Sequence, residues 1–201
     1  MSPAPLTDLE RDYLAAAERG DHTEAARLEQ LVDAAHEAKQ AQLAQPGAIL
    51  AAALWYADTH GLPVFPCAPG EKRPATPHGF KDATTDLDQI RAWWKVNPLY
   101  NLAAPTGLLF DVFDVDGPEG MIALGDYIDA GQLPPIIGLS LTPRGRHYLV
   151  PPAGQHNTTS LLPKVDYRGT GGYVLLPPSR TPDGTYWWDT PLTLDSARAA
   201  A

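Results

Sequence analysis

The sequence predicts an α+β protein: a helical N-terminal segment, then a mainly antiparallel sheet with helices between some of its strands. Three observations carry this. Residues 1–46 show helical periodicity and end at Pro46-Gly47. Beyond them, short apolar runs alternate with helical stretches and are cut by many of the 21 Pro and 17 Gly. In the second half, runs follow one another through tight turns such as Pro143-Arg144-Gly145 and Pro182-Asp183-Gly184, which join antiparallel neighbours. The expected organisation is a helical extension over 1–46, a main domain over 47–190 and a tail over 191–201.

A chain of 201 residues can fill one domain plus an appendage, and hydrophobic residues at 44% with charged residues at 19% give a globular balance. The single cysteine, Cys67, rules out an internal disulfide framework. With no signal-peptide pattern and no apolar run near the roughly 20 residues of a membrane helix, a cytoplasmic protein with no membrane partner is expected. The net charge of -9 argues against a protein that coats duplex nucleic acid by bulk electrostatics. Yet residues 1–47 hold nine of the 24 acidic residues and only four of the 15 basic ones. The rest is mildly acidic, and its cations (Lys72, Arg73, Lys81, Arg144, Arg146, Lys164 and Arg168) gather near one region of interest.

In order, Thr7-Asp8-Leu9-Glu10 has capping-box spacing, and Leu9, Tyr13, Leu14 and Ala17 make the apolar face of a first helix that ends at Gly20. Asp21 caps a second, with Leu28, Leu31, Val32 and Ala35 as its stripe. The two read as a helical hairpin on which His22 and His36 are surface residues. A third helix runs from Ala48 to His60 and closes at Gly61, before a strand over Leu62 to Ala68. The segment from Pro69 to Asp82 is a long basic loop, of a kind that is usually functional or disordered. Thr85-Asp86-Leu87-Asp88 caps the helix bearing Ile90, Trp93 and Trp94; adjacent positions diverge, so one Trp is core. Asn101 to Ala104 is a short strand. A helix from about Pro118 to Ala130 precedes a hairpin, with Ile136 to Thr142 and Arg146 to Val150 as arms. Strands at Val165 to Arg168, Tyr173 to Leu176 and Thr185 to Trp188 complete the set.

The strand Leu108 to Asp116 carries the chemistry. Alternate side chains of a strand share a face, so Asp114 and Asp116 point together while Asp111 points away. Two parallel carboxylates need a cation, and hard oxygen ligands suit Mg²⁺ or Mn²⁺. By the same alternation, His147 and Leu149 leave their arm on one side and Arg146, Tyr148 and Val150 on the other, while Asp166 shares a face with Arg168. His60, His78 and His156 lack metal-ligand spacing, and Cys67 reads as a small buried apolar residue. Asn157-Thr158-Thr159 is a chance glycosylation triplet.

Two carboxylates on one strand, a His on a later hairpin arm and a third carboxylate on a further strand resemble the three motifs of the archaeo-eukaryotic primase superfamily. Residues 48 to 190 look like the primase-polymerase domain of bacterial, phage and plasmid replication proteins. The matching segments are Val64-Phe65-Pro66 with Pro69-Gly70-Glu71-Lys72, Gly79-Phe80-Lys81-Asp82-Ala83-Thr84, Trp93-Trp94, Thr106-Gly107, Asp114-Val115-Asp116-Gly117, Gly145-Arg146-His147, Val165-Asp166-Tyr167-Arg168-Gly169, Gly171-Gly172-Tyr173-Val174 and Pro177-Pro178-Ser179.

The resemblance implies a primase fold with a mainly antiparallel, RRM-like catalytic sheet flanked by helices. It also implies nucleotidyl transfer onto primers on single-stranded DNA, with nucleoside triphosphates as substrates and two divalent ions, Mg²⁺ or Mn²⁺. Asp114, Asp116 and Asp166 would be the catalytic and metal-holding residues; His147, Arg168, Arg146 and Lys72 would bind the nucleotide, with Arg168 ranked above Arg146. A helicase domain or subunit is the expected partner, as in mobile-element and phage replication. Arg144 departs from the small residue that often precedes Gly-Arg-His. Two rivals remain open. A haloacid-dehalogenase-like phosphatase also begins with Asp-x-Asp-Gly, with Asp114 as nucleophile and Asp116 as general acid; Pro118 and the hairpins that follow count against it. The other is a catalytically silent nucleotide- or single-strand-binding module.

Overall fold

The computed structural model describes residues 12, 15, 16, 19–28, 30, 31 and 47–194, in two compact units divided at Gln45 and Pro46. In the first unit, residues 22–28 are helical and Asp21 Oδ1 caps them, accepting the Glu24 N–H at 3.1 Å. Ala16, Ala25 and Leu28 form a small apolar cluster, His22 is exposed, and Leu31, expected on the same stripe, is exposed too. The Thr7 capping box, the Leu9, Tyr13, Leu14 and Ala17 face, and Val32, Ala35 and His36 lie outside the described residues.

The second unit mixes helices with antiparallel sheets. Its α-helices are α1 (Ala48–His60), α2 (Leu87–Val96) and α3 (Gly117–Asp129), with a short 3-10 turn at Gly79–Asp82. Asp86 caps α2, Oδ1 accepting the N–H groups of Asp88 and Gln89 at 2.9 and 3.2 Å. On α2 Trp94 is buried and Trp93 half-buried, so Trp94 is the core residue of the pair.

The main sheet has six strands: β3 (Asp111–Asp116), β4 (Gly138–Leu141), β5 (Gly145–Val150), β6 (Thr158–Leu162), β7 (Val165–Arg168) and β11 (Trp187–Thr190). Their order is β11-β4-β5-β3-β7-β6, every pairing antiparallel. A second sheet places β2 (Asn101–Pro105) between β1 (Phe65–Cys67) and β8 (Tyr173–Leu175). A two-stranded ribbon joins β9 (Arg180–Thr181) to β10 (Gly184–Thr185).

The carboxylate strand is thus central, with a neighbour on each side. One face of it, through Phe113 and Val115, packs with Tyr148, Val150, Val165, Tyr167 and Leu124 of α3. On the other face Val112 and Leu149 enter the larger core with residues of α1, α2 and β2. Farther along that second face stand Asp114, His147 and Asp166, where polar residues replace the apolar ones.

Asp111 points the other way, as its phase requires, and is fully buried: Oδ2 accepts the Tyr167 hydroxyl and the Ala153 N–H, the latter at 2.8 Å. Replacing Asp111 by Ala strands both donors, so urea denaturation should show a loss of about 1–3 kcal/mol, with catalysis per folded molecule unchanged.

Three findings differ from expectation. The strand at Tyr173 leaves the main sheet for the second one, through the Gly169–Gly172 crossover. There Gly172 lies so close to Asn157 Oδ1 and Thr106 Oγ1 that a Cβ has no room. The strand β6 had no sequence signal, because its residues are exposed and do not alternate. The stretch read as a tail also begins inside the core: Leu192 and Leu194 are buried in it, and Thr193 N–H bonds the Ile137 carbonyl at 2.8 Å.

Candidate active site

Antiparallel register assembles the site. Asp114 of β3 stands opposite His147 of β5 on one side and Asp166 of β7 on the other, and Asp116 stands opposite Gly145. A Cβ on residue 145 would collide with the Val115 carbonyl, so glycine lets β5 lie close beside the carboxylate pair. Val112 stands opposite Arg168, so Arg168 shares the face of Asp114 and Asp166.

The Arg168 guanidinium lies between the two carboxylates. Its Nη2 donates to Asp166 Oδ2 at 2.8 Å and to Asp114 Oδ2 at 3.2 Å, and its Nε donates to Asp114 Oδ2 at 3.4 Å. On the other side His147 Nε2 is 3.3 Å from Asp114 Oδ1. Asp166 Oδ1 accepts the Ser160 N–H at 2.8 Å. Burial alone would raise the Asp114 pKa, but the hydrogen bond and attraction of His147, then those of Arg168, outweigh it and hold the carboxyl well below the usual range. Asp114 therefore stays ionised, and the stability from its pairing is full above about pH 4, falling only under more acidic conditions.

Asp116 differs from its neighbours. It is exposed, pairs with no described cation, and does not spend its carboxylate on capping α3 although it occupies the N-cap position.

Asp114 and Asp116 open onto a cleft with two lobes that share Lys72, Asp114, Arg168 and Tyr186, whereas Asp166 lines neither. The first lobe adds Asp116, Thr142, Arg144 and Asp183; the second adds His147, Asn157 and the Gly171-Gly172-Tyr173 backbone. In a chain of net charge -9, the cleft is edged by three cations. Arg146 is not among them: it stands opposite Val115 and Leu141, on the face away from His147, and lines neither lobe. Strand alternation explains this, and Arg144 of the preceding turn supplies the cation instead, held by Asp183 at 2.9 and 3.1 Å.

Lys72 is more firmly placed than its loop composition suggests. Ala68 N–H bonds the Arg73 carbonyl at 2.8 Å, Ala75 N–H bonds that of Pro66 at 2.9 Å, and Asn101 Nδ2 donates to the Glu71 carbonyl at 3.0 Å. Cys67 also takes part, its Sγ donating to the Lys72 carbonyl at 3.3 Å. Burial pushes that thiol up to about 12, with Arg73 pulling weakly the other way, so at neutral pH it stays an S–H donor. A thiol whose folded pKa is raised remains neutral until the pH approaches the folded value. At pH 8, a disulfide reagent should accordingly react with Cys67 at least about 100-fold faster in the urea-unfolded chain than in the native one.

Tyr186, Asn157, Thr142 and Asp183 are site residues that sequence reasoning missed. The sequence marks Asn157 only as part of a chance triplet, Asp183 only as a turn residue and Thr142 only as a strand end. Turn residues and a lone tyrosine carry no periodic signal, and they reach the cleft only through long-range pairing.

The expected cluster of three metal-holding carboxylates is not gathered as such: among the described residues, no three His, Cys, Asp or Glu side chains form a metal-ready group. The Arg168 guanidinium sits between Asp114 and Asp166. The donor set nonetheless suits a hard divalent cation, because Asp114 and Asp116 line one lobe together and Asp116 pairs with no described cation.

Residues 53–199 match the family model described as bifunctional DNA primase/polymerase, N-terminal. The match covers most of the chain and the whole described site, and it defines an enzyme of the nucleotidyltransferase type. The chain belongs to the Prim-Pol family. No curated protein matches it. Among the described residues, no helix is long and apolar enough to cross a membrane.

Proposed function

We propose that the chain is a template-directed nucleotidyltransferase that synthesises and extends primers on single-stranded DNA. The observation that carries this reading is the pairing of Asp114 and Asp116 on one face of the central strand, inside a cleft edged by Lys72, His147 and Arg168. The strand order β4-β5-β3-β7, with α3 between β3 and β4, supports an RRM-like catalytic sheet. Asp114 and Asp116, joined by Asp166, would hold Mg²⁺ or Mn²⁺; two such ions acidify an attacking hydroxyl and neutralise a leaving pyrophosphate.

The protein groups have their own tasks. Asp114, ionised at all working pH values, stays available as an oxygen ligand. Arg168 exchanges its carboxylate partners for phosphate oxygens, a match that suits a guanidinium fork. His147 and Lys72 face the triphosphate from the floor and the rim of the cleft. The substrates on this reading are nucleoside triphosphates and a primed or unprimed single strand, and a helicase domain or subunit supplies that strand.

The test is the class of product formed. With Mg²⁺ or Mn²⁺, single-stranded DNA and nucleoside triphosphates, the account expects a ladder of new primers and their extension. Phosphate release from a phosphomonoester without polymerisation points instead to a phosphatase that uses Asp114 as nucleophile. Tight nucleotide binding with no turnover points to a silent binding module. Either result overturns the proposal.

A further inference from the structure

Three strands of the main sheet reach one rim together. β3 ends there at Asp116, and β5 and β7 begin there, since Asp116 stands opposite Gly145 and Val115 stands opposite both Arg146 and Val165. Backbone hydrogen bonds tie the turns that precede β5 and β7 to this end: Asp116 N–H donates to the Lys164 carbonyl and Gly117 N–H to that of Arg144, each at 2.9 Å. Lys164 also lies against the first turn of α3, because Gly120 leaves it room; a Cβ there would meet the Lys164 carbonyl and Cβ at 2.6 and 3.2 Å. The rim therefore carries three exposed cations, Arg144, Arg146 and Lys164, around the exposed carboxylate of Asp116.

Two of these cations have no part in the cleft. Arg144 is held by Asp183 and lines the first lobe, but Arg146 and Lys164 line neither lobe and have no described carboxylate within salt-bridge range. Lys164 also adopts a left-handed backbone, φ 57°, a conformation that favours glycine and is unfavourable for a residue with a Cβ. The two-residue turn from Leu162 to Val165 thus bears a lysine where folding alone is better served by glycine. Arg146 and Lys164 flank β3, so their backbones are about 10 Å apart, two strand spacings. That separation spans roughly three nucleotides of one strand.

The direction of approach selects the ligand. Lys72, His147 and Arg168, which take the triphosphate on the nucleotide reading, meet in the second lobe, whereas Asp116 and Arg144 line only the first. A hydroxyl that attacks the triphosphate therefore arrives through the first lobe, and Arg144 links that lobe to the rim. We propose that the rim is the track of the primer strand: Arg146 and Lys164 contact phosphates of the strand whose 3′ hydroxyl reaches Asp114 and Asp116. The inference rests on the nucleotidyl-transfer reading above, and adds to it which strand is held and by which residues. It also gives Arg146 a part outside the nucleotide cleft, in accord with its strand phase.

Lys164→Gly removes the cation and the left-handed strain together, and Arg146→Gln keeps a polar side chain without the charge. Both should leave the thermal midpoint within about 2 °C of the wild type. The readout is fluorescence anisotropy of a labelled, primed single-stranded template in Mg²⁺, its primer chain-terminated, over a series of salt concentrations. Each substitution should weaken binding about threefold and the pair about tenfold. The slope of log affinity against log salt should become shallower by about 1 per cation removed. A primer with uncharged methylphosphonate linkages near its 3′ end should cancel the loss, so that wild type and double variant differ by less than about twofold; the same linkages in the template should leave the loss intact. A double variant that binds and responds to salt like the wild type overturns the rim, and a loss cancelled by the neutral template instead overturns the choice of strand. Both results leave nucleotidyl transfer standing. A wild-type chain that binds no primed template overturns the rim and the nucleotidyl-transfer reading together.

Discussion

Asp116→Ala should abolish primer extension while leaving the fold untouched. The side chain is exposed, pairs with no described cation and caps nothing, so the folded state loses no interaction when it is removed. Surface changes of that kind typically shift stability by no more than about 0.5 kcal/mol. Catalysis should respond quite differently. If Asp116 helps to hold the divalent ions, its loss removes several kcal/mol of transition-state stabilisation, and the extension rate should fall by at least about 10³-fold. Thermal denaturation and a primer-extension time course on the same preparation check both halves. A variant that extends primers at a tenth of the wild-type rate or better would remove Asp116 from the chemistry.

The second large effect belongs to Arg168. It is the cation between Asp114 and Asp166, at 3.2 and 2.8 Å, and its removal leaves two carboxylates facing each other across adjacent strands. Removing one partner of a fully buried pair is strongly destabilising, but these side chains are 30% and 31% exposed, so solvent screening reduces the expected loss to roughly 1–2 kcal/mol. On the nucleotide reading, which gives Arg168 a charge-assisted phosphate contact, the KM for the incoming nucleotide should rise by at least about tenfold. The metal dependence is the sharper signature. Without Arg168 the carboxylate cleft lacks its own cation, so a divalent ion that binds only the folded state stabilises the variant more than the wild type. Thermal denaturation in chelator and in Mn²⁺ should show the larger Mn²⁺-induced rise for Arg168→Ala. Equal rises in the two proteins would mean that the guanidinium does not occupy a place a metal can take.

What could be read from the sequence followed the range of the interactions. Strand alternation is local, so the common face of Asp114 and Asp116, the opposite orientation of Asp111, the separate phases of Arg146 and His147, and the shared face of Asp166 and Arg168 were all legible. Helix ends governed by one or two residues were legible as well: Ala48–His60 with Gly61, and Asp86 as the cap of α2. Harder features depend on partners far along the chain. Composition made residues 69–82 look like a free loop, yet Asn101, 30 residues from Glu71, holds it in place. Nothing local assigns Tyr173 to the second sheet, buries Leu192 and Leu194, or brings Tyr186 beside His147.

The carboxylates show the same division. Alternation placed them correctly one by one, but the guanidinium that intervenes between Asp114 and Asp166 arises from the pairing of β3 with β7. Arg168 was legible as a neighbour of Asp166 along the strand; its reach to Asp114 was not.

The central claim is that Asp114 and Asp116 hold the ions for template-directed nucleotidyl transfer. The most direct measurement is extension of a labelled primer on single-stranded DNA with deoxynucleoside triphosphates and Mn²⁺, run with and without chelator for the wild type and for Asp114→Ala plus Asp116→Ala. The account predicts a ladder only in the wild type with free metal. A ladder that persists in chelator, or in the double variant, would contradict it.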